Sequence, residues 1–92
     1  MSDTNPPFAP DTVRRRRLRY RATHRGSHEC DLLLGGYVIA HIDAMDAATL
    51  DALEEVLELP DSDLAEWLTG REAIPDNVAT PLLLQIRMAA LK

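Results

Sequence analysis

Helix-stop and helix-start residues cut this chain into short pieces, and that punctuation limits the folds open to it. Gly26, Pro60, Gly70 and the Thr80-Pro81 pair each fall between runs whose apolar residues recur at three- and four-residue spacing. Glycine after a helix takes the left-handed conformation without a steric penalty, and proline cannot continue a helix. Ser27, Asp46, Asp61 and Thr80 precede the next runs, where a short oxygen-bearing side chain caps free backbone N–H groups. The spacing predicts five helices: about Thr12 to Thr23 with Asp11 as its cap, one starting near His28, about Ala47 to Leu59, Ser62 to Thr69, and Pro81 to about Leu91. Residue type alone would allow a strand over Leu32–Ile42, but the flanking segments all have helical period.

The faces of these segments differ. The first is poor in apolar residues (Val13, Leu18, Tyr20, Ala22) and is expected to pack weakly, with Arg14, Arg15, Arg16, Arg17, Arg19 and Arg21 in solvent. In the second, Cys30, Leu33, Leu34, Tyr37, Val38 and His41 follow one face, and Leu32, Ile39 and Ile42 widen it until the segment is apolar nearly all round, as in the middle helix of a bundle. Gly35-Gly36 interrupts this run. Glycine costs about 1 kcal/mol relative to alanine inside a helix, so either the helix breaks into two pieces or another backbone packs closely; a break or bend is the expectation. In the third segment Leu50, Leu53, Val56 and Leu57 oppose Asp51, Glu54, Glu55 and Glu58. Leu64, Trp67 and Leu68 point inward from the fourth, and Leu83, Leu84, Ile86, Ala90 and Leu91 are the apolar set of the last.

The result is an all-α, compact, five-helix single domain. At 92 residues its core is thin. The expected organisation is a mobile tail over residues 1–10, rich in proline, followed by a helical domain over residues 11–92. Size and a leucine-, isoleucine- and valine-based core favour a binding module over an enzyme that encloses a large substrate, and a monomer is expected. Residues 1–25 hold seven arginines against Asp3 and Asp11, whereas residues 26–92 hold three basic and thirteen acidic groups. That asymmetry implies either a partner with an acidic patch or packing of the basic arm on the acidic body. The single cysteine excludes an internal disulfide and fits a reducing compartment. No apolar run approaches the roughly 20 residues that span a bilayer, and no secretory signal is visible, so a cytosolic protein is expected.

Candidate chemistry concentrates in Thr23–Asp31, which contains His24, His28 and Cys30. A metal site is disfavoured, because Gly26 separates the two histidines and Cys30 lies on the inward face. A Cys/His nucleophile lacks an orienting group and an oxyanion hole. His41 reads as a core or rim residue. The arginine run Arg14–Arg21 would meet phosphates, but Tyr20 is its only aromatic and the body is acidic, so nucleic acid is also disfavoured. Arg25 and Glu29, at a helix end and a helix start, are stabilised by the helix dipoles and are placed to pair with each other. Together with Gly26 they form an Arg-Gly-x-x-Glu pattern at a helix joint, an exposed and rigid recognition surface.

Arg25-Gly26-Ser27-His28-Glu29, followed by Cys30-Asp31-Leu32-Leu33-Leu34, resembles the RGxxELD signature of the small flavinylation factors, known as SdhE in bacteria and as succinate dehydrogenase assembly factor 2 in mitochondria. The resemblance continues through Gly36-Tyr37, an acidic third helix, and Leu59-Pro60-Asp61-Ser62-Asp63-Leu64 with Trp67-Leu68, covering about residues 12–70. It implies a five-helix fold and a chaperone-like assembly role. The partner would be the flavoprotein subunit of succinate dehydrogenase or fumarate reductase, on which the factor promotes covalent attachment of FAD to a histidine. It further implies that this chain holds no FAD, is not an enzyme, and acts in the bacterial cytoplasm or, in a eukaryote, the mitochondrial matrix. Carried over by position, the partner-binding residues are Arg25, Gly26 and Glu29, with His28 and Asp31 beside them. Cys30 stands where leucine is usual, His24 where a second arginine is common, and His28 where arginine is frequent. Other readings are an antitoxin or a nucleic-acid-binding regulator acting through Arg14–Arg21.

Overall fold

The computed structural model describes residues 10–92 and contains α1 (Pro10–Thr23), α2 (His28–His41), a 3₁₀ turn (Ile42–Ala44), α3 (Ala47–Leu57), α4 (Asp61–Leu68) and α5 (Pro81–Ala90). No strand occurs among the described residues, and no helix is long and apolar enough to cross a membrane. The expected tail falls on residues 1–9, outside the described residues, and on Pro10, which already opens α1. Local chemistry accounts for most boundaries. The Ser27 hydroxyl accepts from Cys30 N–H, Asp46 Oδ1 accepts from Thr49 N–H at 2.8 Å, and Thr80 Oγ1 accepts from Leu83 N–H at 3.2 Å with Pro81 as the first helical residue. Gly26 and Gly70 both take positive φ, 88° and 80°, after α1 and α4.

Three local expectations are corrected. Asp11 is not a cap: it lies in the first turn of α1 and accepts from Arg15 Nε at 2.8 Å. Asp61 does not cap α4: Pro60 holds the cap position without a side-chain bond, and Asp61 is the first residue of the helix, engaged by Arg25 instead. α3 stops at Leu57, two residues short of the sequence reading, and a turn bond from Leu59 N–H to Val56 O leads to Pro60.

Leu18 and Ala22 of α1 meet Cys30, Leu34 and Val38 of α2, and the core continues through Ile42, Leu50, Leu53, Val56, Leu57, Leu64, Trp67, Leu68, Leu82, Leu83 and Ile86. No polar or charged residue is buried among the described residues. α2 packs against α1, α4 and α5, and it is unbroken at Gly35-Gly36, contrary to the expected break. A Cβ on Gly35 would lie 3.1 Å from both the Ala22 carbonyl oxygen and Thr23 Cγ2, so this glycine is where the end of α1 crosses α2. The same Cβ on Gly36 would meet open space.

The apolar girdle expected around α2 is only partly covered, because Leu32 and Ile39 remain 62% and 58% exposed. His41 is exposed rather than in the core, with its ring stacked on Tyr37 at 4.1 Å. On α5 the inward set is Leu82, Leu83 and Ile86, whereas Leu84 and Leu91 face solvent. α1 is not the loosely packed basic arm of the sequence reading. Arg14 bonds Asp51 and Glu54, Arg19 bonds Asp43 at 3.3 Å, Arg21 bonds Glu58 at 2.6 Å, and Arg15 donates to the Ile42 carbonyl. Arginine stems cover apolar surface while their heads reach the acidic rim of the neighbouring elements. Three of the six arginines of the run, Arg14, Arg19 and Arg21, therefore pair with carboxylates of this chain's own body, and Arg15 pairs with Asp11 inside α1, which weakens a nucleic-acid role for the run as a whole.

Candidate docking site at the α1–α2 joint

The joint between α1 and α2 is built by backbone turn chemistry and then locked from outside. Gly26, at φ 88°, reverses the chain after α1. Across the turn, Arg25 N–H donates to Asp31 Oδ1 at 2.8 Å, so Asp31 ties the first turn of α2 back to the end of α1. Asp31, expected beside the partner-binding residues, thus also braces the turn from within.

Arg25 departs furthest from expectation. Its side chain is only 11% exposed and is turned onto the α3–α4 joint. Nε donates to Asp61 Oδ1, one terminal nitrogen donates to the Leu57 carbonyl at 2.9 Å, and the other donates to the Leu59 carbonyl at 2.6 Å. Leu57 ends α3, so the guanidinium satisfies a carbonyl that has no partner within the helix and sits at the negative end of the α3 dipole. The planar fork suits this three-acceptor arrangement. Arg25 is therefore a clamp between two helix joints and does not pair with Glu29.

Glu29 is bound to Arg71 instead, with Oε1 3.1 Å from Nη2, and Arg71 Nε also reaches Glu66 at 3.0 Å. The two glutamates raise the Arg71 pKa, Glu29 foremost. This half-exposed network positions Glu29 while leaving part of its carboxylate accessible. Gly26 and His28 are exposed, and nothing lies within 4 Å of a Cβ built on Gly26. His24 is stacked on Tyr20 at 4.0 Å. Cys30 is a core residue whose thiol donates to the Asp61 carbonyl at 3.5 Å, and burial pushes its pKa up, so it stays protonated near neutrality. No group of three or more histidine, cysteine or acidic side chains could hold a metal ion among the described residues.

The structure thus sorts the five expected site residues. Gly26, His28 and Glu29 form an outward surface, whereas Arg25 and Asp31 hold its shape from behind. Asp61 and Arg71, which secure the surface, were missed as site residues because they lie 36 and 42 positions from their partners in sequence. The class defined here is that of small all-α domains with a braced glycine turn between two helices, flanked by exposed polar side chains. More particularly, the chain belongs to the family described as the flavinator of succinate dehydrogenase, whose profile matches residues 16–90. It is 51% identical over 71 residues to the FAD assembly factor SdhE of Acetobacter pasteurianus, covering 77% of this chain and 65% of that protein. It is 41% identical over 64 residues to the mitochondrial succinate dehydrogenase assembly factor 2 of Arabidopsis thaliana, covering 70% and 34%. Identity to the same-named protein of Dictyostelium discoideum is 30% over 69 residues, covering 75% and 49%. The aligned segments therefore span about a third to just under two thirds of these relatives' own lengths.

Proposed function

We propose that this chain is an assembly factor that docks on the flavoprotein subunit of succinate dehydrogenase or fumarate reductase and promotes covalent attachment of FAD to it. The carrying observation is the rigid, outward Gly26–His28–Glu29 surface in a member of the flavinator family. The chain needs neither a cofactor nor a catalytic group of its own. Glu29 and the polar atoms around the Gly26 turn form hydrogen bonds to the flavoprotein, charge-assisted where a charge takes part. The contact holds the flavoprotein so that its acceptor histidine and the flavin methyl group are aligned, and alignment of reacting groups lowers a barrier substantially. The chain works as a monomer on its larger partner, in the cytoplasm of a bacterium or the matrix of a mitochondrion.

Gly26 gives the sharpest test. Gly26→Ala adds only the strain of a Cβ at positive φ, because the space around it is open. Gly26→Arg adds the same strain and a long side chain aimed into the docking surface. The expected result is similar circular dichroism for both variants, with flavoprotein binding and flavin fluorescence in a denaturing gel lost far more completely for Gly26→Arg. Normal binding by Gly26→Arg would remove this surface from the interface.

A further inference from the structure

The arginines of α1 fall into two sets, and the division marks a second contact surface. Arg14, Arg15, Arg19 and Arg21 each pair with a carboxylate of this chain. Arg16 and Arg17 are exposed and have no carboxylate partner among the described residues. Helical spacing puts Arg17, Tyr20 and His24 on one line, with Arg16 beside it, away from buried Leu18 and Ala22.

Tyr20 is 62% exposed in a chain with very few aromatics. Its ring nonetheless has a fixed direction: it stacks on His24 at an interplanar angle of 13°, and His24 Nδ1 lies 3.0 Å from the Tyr20 carbonyl oxygen. An open groove of about 370 Å³, walled almost wholly by carbon, lies among Arg16, Arg17, Tyr20 and Arg21. A merely solvated basic face has no need of a rigid exposed aromatic between two free cations. The ridge ends at His24, directly before the Arg25-Gly26 turn in the chain.

We propose that this ridge receives an acidic segment of the flavoprotein, which seats an apolar side chain on Tyr20 and sets carboxylates against Arg16 and Arg17. The inference rests on the flavoprotein reading above. The pattern fits a protein segment better than a nucleic acid. Two free cations neutralise about two phosphates, and the ridge is bordered by Asp51, Glu54 and Glu58 along one edge and Asp43 along the other. Those carboxylates hold Arg14, Arg19 and Arg21, so the edges of the ridge offer a continuing polyanion no unpaired cation among the described residues, whereas a protein segment can present its charge at the ridge alone.

The test measures the affinity of the full chain for purified flavoprotein subunit lacking covalent flavin, at low and high salt. The variants are the double variant Arg16→Glu/Arg17→Glu and, separately, Tyr20→Ala, with circular dichroism as the folding control. Exposed charges set association rate and salt dependence. The double variant is expected to bind about tenfold or more weakly at low salt, with the deficit shrinking at high salt. Tyr20→Ala is expected to weaken binding with little change in salt dependence. If the double variant unfolds, Arg16→Gln/Arg17→Gln replaces it and is expected to move in the same direction by a smaller factor. Undiminished binding by the folded charge variants would overturn the ridge and leave the flavoprotein reading intact. No binding by the unaltered chain would remove that reading and this inference with it. Retention of a mixed-sequence DNA duplex by the unaltered chain but not the double variant, with flavoprotein affinity unchanged, would assign the ridge to nucleic acid and also overturn it.

Discussion

Replacing Arg25 by alanine should damage the fold before it damages any contact with a partner. The guanidinium makes three bonds at the α3–α4 joint, to the Asp61 carboxylate and to the Leu57 and Leu59 carbonyls, and its side chain is 11% exposed. A hydrogen bond involving a charged group contributes about 1.5–3 kcal/mol, but bonds to one group are not additive. Asp61 is about one-third exposed and water recovers part of its loss, whereas the end of α3 loses the side-chain bond to the Leu57 carbonyl. A net loss of about 2–4 kcal/mol follows, which for a domain of this size lowers the melting temperature by roughly 10–25 °C. Arg25→Lys keeps the charge but cannot span three acceptors, so it should recover only part of the loss. A thermal or urea melt reads the effect directly, and a double-mutant cycle with Asp61→Asn isolates the ion-pair share. An Arg25→Ala variant that melts within about 2 °C of the unaltered chain, yet fails to bind the flavoprotein, would refute the clamp and restore Arg25 as a direct contact.

Three further outcomes are expected. Gly36→Ala should raise stability by about 0.4–1 kcal/mol, because it restores helix propensity in open space, whereas Gly35→Ala should forfeit that gain against the Ala22 carbonyl; paired thermal melts compare them. The Thr49 hydroxyl and N–H bonds hold the Asp46 pKa below its ordinary value, so the stability it contributes is present above pH about 4 and is lost as pH falls through its folded-state value. The melting difference between the unaltered chain and Asp46→Ala should therefore narrow on acidification. Cys30, buried with a raised pKa, should react with a thiol reagent only after denaturation, and fast labelling of the native protein would contradict its placement in the core.

Features governed by near neighbours were legible in the residues alone. The Ser27, Asp46 and Thr80 caps, the Gly26 and Gly70 stops, and the inward faces of α3 and α4 depend on contacts a few positions apart, so spacing suffices to read them. The flavinator resemblance lay in the same kind of signal, a turn pattern and a helix start at set distances. Tertiary packing decided the rest. Whether Gly35 breaks a helix or admits a neighbour depends on where the end of α1 crosses α2. Asp61 has the residue type of a helix cap, but an arginine 36 positions away claims it. Six arginines on α1 look alike in sequence, yet four find carboxylates on this chain and two do not, because helix phase points Arg14 and Arg21 at α3, Arg19 at the 3₁₀ turn and Arg15 back at Asp11. For the same reason Arg25 and Glu29, neighbours in the motif, end in separate ion pairs: one faces α4 and holds the joint, and the other stays half-exposed at the surface with Arg71.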